Sequence, residues 1–131
     1  MASKKLSPAE KLFKKARKHN WDNGYRQLYS ILENKDCDKG TALMMYWLSS
    51  PQYFTQFATA EECESYNRDN YLFVKQVEKV FPTIKNEVII YSPKADNMIG
   101  AEKENVKAPI PPIMYEDTPG TIPFEEINVY G

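Results

Sequence analysis

The chain has 131 residues, a formal net charge of −1, one histidine and two cysteines, Cys37 and Cys63. This length suits one domain, and the few Cys and His residues exclude a four-ligand structural zinc site and a secreted disulfide framework. No apolar run approaches the roughly 20 residues of a membrane span, and we predict a cytoplasmic protein with no membrane partner. We also predict that it carries no cofactor.

The first predicted helix begins at Ser7-Pro8-Ala9-Glu10. These residues combine an N-cap, a proline at the first helical position and a glutamate where a capping box needs it. The segment 1–19 carries seven cations against one Glu: Lys4, Lys5, Lys11, Lys14, Lys15, Arg17 and Lys18. We expect a solvated basic face whose counter-charge comes from the protein's own tail.

Nucleic-acid binding by this basic helix is one alternative, with Trp21 and Tyr25 nearby for stacking. We do not favour it, because the sequence pI near 5.9 lacks the basic excess usual in such domains.

The turn-like residues 20–24, NWDNG, separate this helix from a second one predicted from Tyr25 to Asn34. A third helix is predicted to begin at Asp38, whose carboxylate would cap the N–H of Gly40 or Thr41. Because residues 42–48 are all apolar, this helix should be the central element. A glycine in its first turn indicates close approach of another backbone or of the neighbours of Trp47.

An active site near Trp21, Asp22, Cys37 and Asp38 is a second alternative. A cysteine at a helix N-terminus has a lowered pKa, and His19 would be its base. Asp36 and Asp38 flank the thiol, however, and would raise its pKa. These aspartates also lack the spacing of a calcium loop, so we predict no catalytic and no metal-binding residues.

Farther along, Thr59-Ala60-Glu61-Glu62 matches a second capping box and predicts a long helix from Thr59 to Phe81. Between the third helix and Thr59, residues 51–57 read as an aromatic connector. Pro82 should end the long helix, and residues 87–91 should form a short strand.

Six of the nine prolines lie in residues 92–131, where helical periodicity disappears. This tail is too apolar for a solvated linker, and its apolar residues are Ile110, Ile113, Met114, Tyr115, Ile122, Phe124, Ile127, Val129 and Tyr130. We therefore predict a mainly α fold of about four helices and a short strand in one compact domain, residues 1–91. Residues 92–131 would form an extended proline-rich strap packed on that domain or on a partner.

Two segments, residues 20–24 and the CDKGTALMMYW run of residues 37–47, resemble an uncharacterised bacterial family, domain of unknown function 4274. The resemblance covers about Leu12 to Phe57. It implies a small helical cytoplasmic protein of unassigned activity, with these motif residues in structural roles: Trp21, Asp22, Gly24, Cys37, Asp38, Gly40, Thr41 and Trp47.

Common hydrolase and nucleotide-binding motifs are absent from the sequence, whereas tyrosine, a residue favoured at interfaces, is abundant. We therefore predict a non-catalytic module that binds another protein, such as an immunity protein or antitoxin that occludes a toxin. An architectural subunit with a self-complementary apolar patch is a third alternative. The predicted partner-binding residues are Tyr115, Glu116, Asp117, Phe124, Glu125 and Glu126.

Overall fold

A computed structural model describes residues 5–129, which confirm the predicted mainly helical fold. The helices are α1 (Pro8–Arg17), α2 (Arg26–Glu33), α3 (Lys39–Leu48), α4 (Pro51–Phe54) and α5 (Arg68–Val80). Two strands, β1 (Ile89–Ile90) and β2 (Ile122–Pro123), pair in parallel. Lys4 of the predicted basic face and Tyr130 of the predicted strap lie outside the described residues. Across residues 5–129, no helix has the length and apolarity needed to cross a membrane.

Helix α1 starts with the predicted capping box. The Ser7 hydroxyl accepts the Glu10 N–H at 3.3 Å, and a Glu10 carboxylate oxygen accepts the Ser7 N–H at 3.1 Å. At the other end of the helix, Arg17 donates two hydrogen bonds to the Asp96 carboxylate, at 2.7 and 2.8 Å. The counter-charge of Arg17 therefore comes from Asp96, which precedes the acidic residues 108–131 from which it was expected.

Helix α3 is the central element, as predicted. Every residue from Gly40 to Trp47 is buried, and the helix packs against α1, α4, α5 and β1. A helix that is apolar on all sides has no face to offer to water, so neighbouring elements must cover all of it.

The predicted start of the long helix at Thr59 is wrong. Residues 60–62 form one 3-10 turn, Cys63 is extended, and α5 begins only at Arg68. The capping box is incomplete, because the Thr59 side chain makes no cap hydrogen bond. The Glu62 carboxylate accepts the Ala58 N–H at 2.9 Å and the Lys107 ammonium at 2.6 Å. Both bonds stabilise a turn instead of a helix start.

The helix count is also higher than predicted, because residues 51–54 of the expected connector form α4. Ser50 adopts a left-handed backbone conformation (φ 57°) that ends the preceding helix. Pro51 then occupies the first position of a new helical turn, where its fixed φ is favourable.

The strap lies on the helical body along most of its described length. The Trp47 indole N–H donates to the Met114 carbonyl at 2.8 Å, and the Thr55 carbonyl accepts two backbone N–H groups, from Lys107 and Ala108. In the strand pair, Ile89 is opposite Ile122. Strap side chains that belong to the hydrophobic core are Ile110, Met114, Phe124 and Ile127.

Candidate functional site

The Asp38 carboxylate, fully buried, joins the start of α3 to the strand β1. One of its oxygens accepts the Thr41 N–H at 3.1 Å, which confirms the predicted N-cap. The other accepts the N–H groups of Val88 and Ile89, at 3.2 and 2.7 Å. One side chain therefore caps a helix and fixes a strand 50 residues away along the chain.

Gly40 lets β1 approach the helix closely. A Cβ atom at this position would lie 2.4 Å from the Ile89 carbonyl oxygen, much closer than any non-bonded contact allows. Of the two explanations expected for this glycine, the structure shows the close approach of another backbone. Asn86, which the sequence did not single out, adds side-chain N–H bonds to the carbonyls of Lys35 and Cys37. We call Asp38, Gly40 and Asn86 the clasp.

Cys37 lies inside this arrangement and is 3% exposed. Burial and the charge of Asp38 raise the pKa of its thiol to about 12. The ring nitrogens of His19 are engaged elsewhere, each 2.8 Å from an oxygen, one of Gln27 and one of Gly24. This geometry gives no support to a Cys37 nucleophile activated by His19.

Cys37 should react very slowly with a thiol reagent in the folded protein. With a pKa of about 12, roughly one thiol in 10,000 is ionised at pH 8, and burial further restricts access. The test is labelling by iodoacetamide at pH 8, followed by mass spectrometry of the Cys37 peptide, with and without denaturant. Labelling of folded and denatured protein at similar rates would contradict the assignment.

The NWDNG turn is a separate structural unit. The Asn20 side chain accepts the Asp22 N–H at 3.0 Å, and Gly24 has a φ of 80° that favours glycine. Asp22 is exposed and Trp21 is half-buried. Among residues 5–129, no hydrogen bond or ring contact joins this turn to Cys37 or Asp38, so the residues of the enzymatic alternative are not brought together by such a contact. Nor do the described residues contain a cluster of three or more His, Cys, Asp or Glu side chains suited to a metal ion.

The predicted partner-binding residues fall into two places on the strap. Glu125 and Glu126 are exposed beside Phe13 and Arg17. Phe124 is only 8% exposed and belongs to the core, with its ring centroid 5.0 Å from that of Tyr91. Because the Phe124 side chain packs in the core beneath the strap backbone, it is not accessible to a partner.

The other predicted residues lie next to Ile113. Tyr115 is half-buried against the Trp47 ring, at a centroid distance of 5.3 Å. Exposed Glu116 and Asp117 line a cleft of about 270 Å³ between strap and body. We call it the Ile113 cleft, and its remaining walls are formed by Lys39, Phe81, Pro82, Ile113, Thr118 and Pro119.

The charge of the Ile113 cleft is negative on its strap side. Lys39 is paired with Glu87 at 3.0 Å, while Glu116 and Asp117 form no ion pair within residues 5–129. Ile113 is 48% exposed. The cleft thus combines an accessible aliphatic side chain with two uncompensated carboxylates.

Comparisons with known proteins place the chain in a family of unassigned activity. No curated protein and no solved structure matches it. A family model described as a domain of unknown function (DUF4274) matches residues 8–81, which is longer than the stretch that carries the motif resemblance. The match contains all five described helices and stops before the strap. The chain therefore belongs to the DUF4274 family.

Proposed function

We propose that this protein is a non-catalytic protein-binding module of the bacterial cytoplasm, an immunity protein or antitoxin that neutralises a toxin by occluding it. The observation that carries the proposal is the Ile113 cleft, where an exposed aliphatic side chain lies beside two uncompensated carboxylates. The complementary partner is a toxin domain with an apolar side chain set among Lys and Arg residues. Opposite charges on the two surfaces would speed their encounter.

The backbone that carries this surface is held at both ends. On one side of Glu116 and Asp117, the Met114 carbonyl accepts the Trp47 indole N–H. On the other side, the Thr118 hydroxyl accepts the Tyr91 N–H at 2.8 Å and donates to the Ile89 carbonyl at 2.7 Å. A segment already fixed in one conformation loses little entropy when a partner binds. This supports recognition by a preformed surface.

The contacts of the motif residues favour binding over catalysis. The Asp38 carboxylate accepts hydrogen bonds from three backbone N–H groups. The raised pKa of Cys37 keeps its side chain protonated as a thiol. In the enzymatic alternative, Asp38 and Cys37 are therefore not accessible reactive groups, and exposed Asp22 has no hydrogen-bond contact with either of them within residues 5–129. The cleft on the strap, by contrast, is open to a partner.

Photo-crosslinking from position 113 tests the proposal. A photoreactive amino acid replaces Ile113 in the full chain, and the crosslinked product from lysate of the source organism is identified by mass spectrometry. Position 66 provides the matched control, because Tyr66 is 81% exposed and lies outside the cleft. We expect one stoichiometric product from position 113 that is absent from position 66.

Point variants are preferable to removal of the strap, since residues 109–131 contain core side chains and strand β2. Ile113→Lys should weaken binding of the crosslinked protein about 30-fold or more, as expected for an interface hot spot. Identical products from positions 113 and 66, or unchanged affinity of Ile113→Lys, would refute the cleft as the binding surface.

A further inference from the structure

A second surface, away from the strap, carries three half-buried aromatic rings in a row. This surface lies within the segment that the family model matches. Trp21 precedes α2, and Tyr25 and Tyr29 follow one helical turn apart, so they share a face. The ring centroids of Trp21 and Tyr25 are 5.8 Å apart, and those of Tyr25 and Tyr29 lie 5.5 and 5.1 Å from that of Phe73. We call Trp21, Tyr25 and Tyr29 the aromatic strip.

The polar atoms of the aromatic strip differ from those of the core aromatics. In the core, the Tyr46 and Tyr91 hydroxyls each donate to a carboxylate at 2.6 Å. By contrast, the structure gives the Tyr25 and Tyr29 hydroxyls and the Trp21 indole N–H no hydrogen-bond partner within residues 5–129. Half-buried rings with unused polar ends are suited to contact with another molecule.

Negative charge lies at the tyrosine end of the aromatic strip. At the other end, Trp21 contacts the His19 ring, which lines a pocket with Lys11, Lys14, Lys15 and Lys18. Asp69 on α5 and Glu33 at the end of α2 are exposed, and neither forms an ion pair within the described part of the chain. Burial, followed in size by the charge of Asp69, raises the pKa of Tyr25 to about 12. Burial and the charges of Asp69 and Glu33 raise the pKa of Tyr29. The backbone places these carboxylates beside the rings, because Glu33 follows Tyr29 by one turn of α2. Asp69 precedes Phe73, whose ring both tyrosines contact, by one turn of α5.

We propose that the aromatic strip is a docking site for an arginine side chain in a basic segment of a partner protein. A cation is attracted both to the face of an aromatic ring and to the two carboxylates. The planar guanidinium can stack on a ring while its N–H groups reach a carboxylate, whereas a lysine ammonium is a compact and strongly hydrated charge. Single-stranded nucleic acids also bind exposed aromatic rings, through base stacking, but Asp69 and Glu33 would repel their phosphates.

Tryptophan NMR of the full chain tests this site. The probe is the capped pentapeptide Gly-Arg-Gly-Arg-Gly, compared with versions that carry lysine or the neutral isostere citrulline. The Trp21 indole N–H reports on the strip, and that of Trp47 is an internal reference because it donates to the Met114 carbonyl inside the core. We expect a saturable shift of the Trp21 signal only, with several-fold weaker binding of the lysine peptide and no saturation by the citrulline peptide.

Two variants complete the test. Asp69→Asn changes an exposed residue and should weaken arginine-peptide binding about 3- to 10-fold. Tyr66→Ala removes an exposed tyrosine outside the strip and should leave binding unchanged, as should Ile113→Lys, which separates this site from the Ile113 cleft. Absence of a saturable Trp21 shift at millimolar peptide, an equal response to citrulline, or no effect of Asp69→Asn would overturn the proposal.

Discussion

Replacing Asp38 by alanine should lower the free energy of unfolding by about 4 kcal/mol. The change removes a helix cap, which costs about 1 kcal/mol, and leaves the N–H groups of Val88 and Ile89 without an acceptor, at about 1–3 kcal/mol each. The site is fully buried, so water cannot take over these bonds without opening the clasp. Urea unfolding followed by circular dichroism measures the loss.

Asp36→Ala is the matched control for Asp38→Ala. This neighbouring carboxylate is partly exposed, and its oxygens accept no hydrogen bond within residues 5–129. Its removal should change the free energy of unfolding by no more than about 0.5 kcal/mol. A loss below about 1 kcal/mol for Asp38→Ala would mean that the clasp does not hold α3 and β1 together.

Gly40→Ala should destabilise the protein by about 3 kcal/mol, opposite in sign to the usual effect of this change in a helix. On an exposed helix, alanine is up to about 1 kcal/mol more favourable than glycine. Here the new methyl group would lie 2.4 Å from the Ile89 carbonyl oxygen and 2.9 Å from the Ile89 Cβ. Since both atoms belong to a strand fixed by Asp38, β1 must shift and its contacts weaken.

Gly100→Ala provides the control for Gly40→Ala. Its added Cβ would meet only the Gln52 side chain, at 3.4 Å, so the expected change in the free energy of unfolding is within about 0.5 kcal/mol. Thermal and urea unfolding of both variants give the comparison. Stabilisation by Gly40→Ala would show that β1 does not press on the helix as described.

The elements that the sequence predicts correctly depend on local signals. The capping box at Ser7 and Glu10 and the cap from Asp38 to Thr41 each span three residues, and the apolar run of α3 requires burial whatever surrounds it. For Gly40, the sequence indicates that another backbone comes close. It does not indicate that this backbone belongs to Ile89, because that pairing depends on the whole fold.

The wrong prediction at Thr59 shows how a distant residue overrides a local pattern. Glu62 is in the right place for a capping box, yet in the fold it meets Lys107 from the strap. The predicted helix also included Tyr66, which is 81% exposed and precedes the observed start of α5. Neither fact can be read from the segment itself.

The candidate binding surfaces were only partly predictable. Glu116 and Asp117 are exposed as expected, but Phe124 is in the core, because the tail sequence does not say which apolar side chains face the body. The same limit applies to the tyrosines. Sequence alone does not separate Tyr46 and Tyr91, whose hydroxyls are satisfied internally, from Tyr25 and Tyr29 on the surface.

The most direct test of the proposed function is a growth assay with the protein crosslinked from position 113. That protein is expressed alone in a bacterial host, then together with the wild-type chain or with Ile113→Lys, a change at a side chain that is 48% exposed. We expect that the captured protein arrests growth, that the wild-type chain restores it, and that Ile113→Lys does not. A captured protein that is harmless alone, or full rescue by Ile113→Lys, would contradict it.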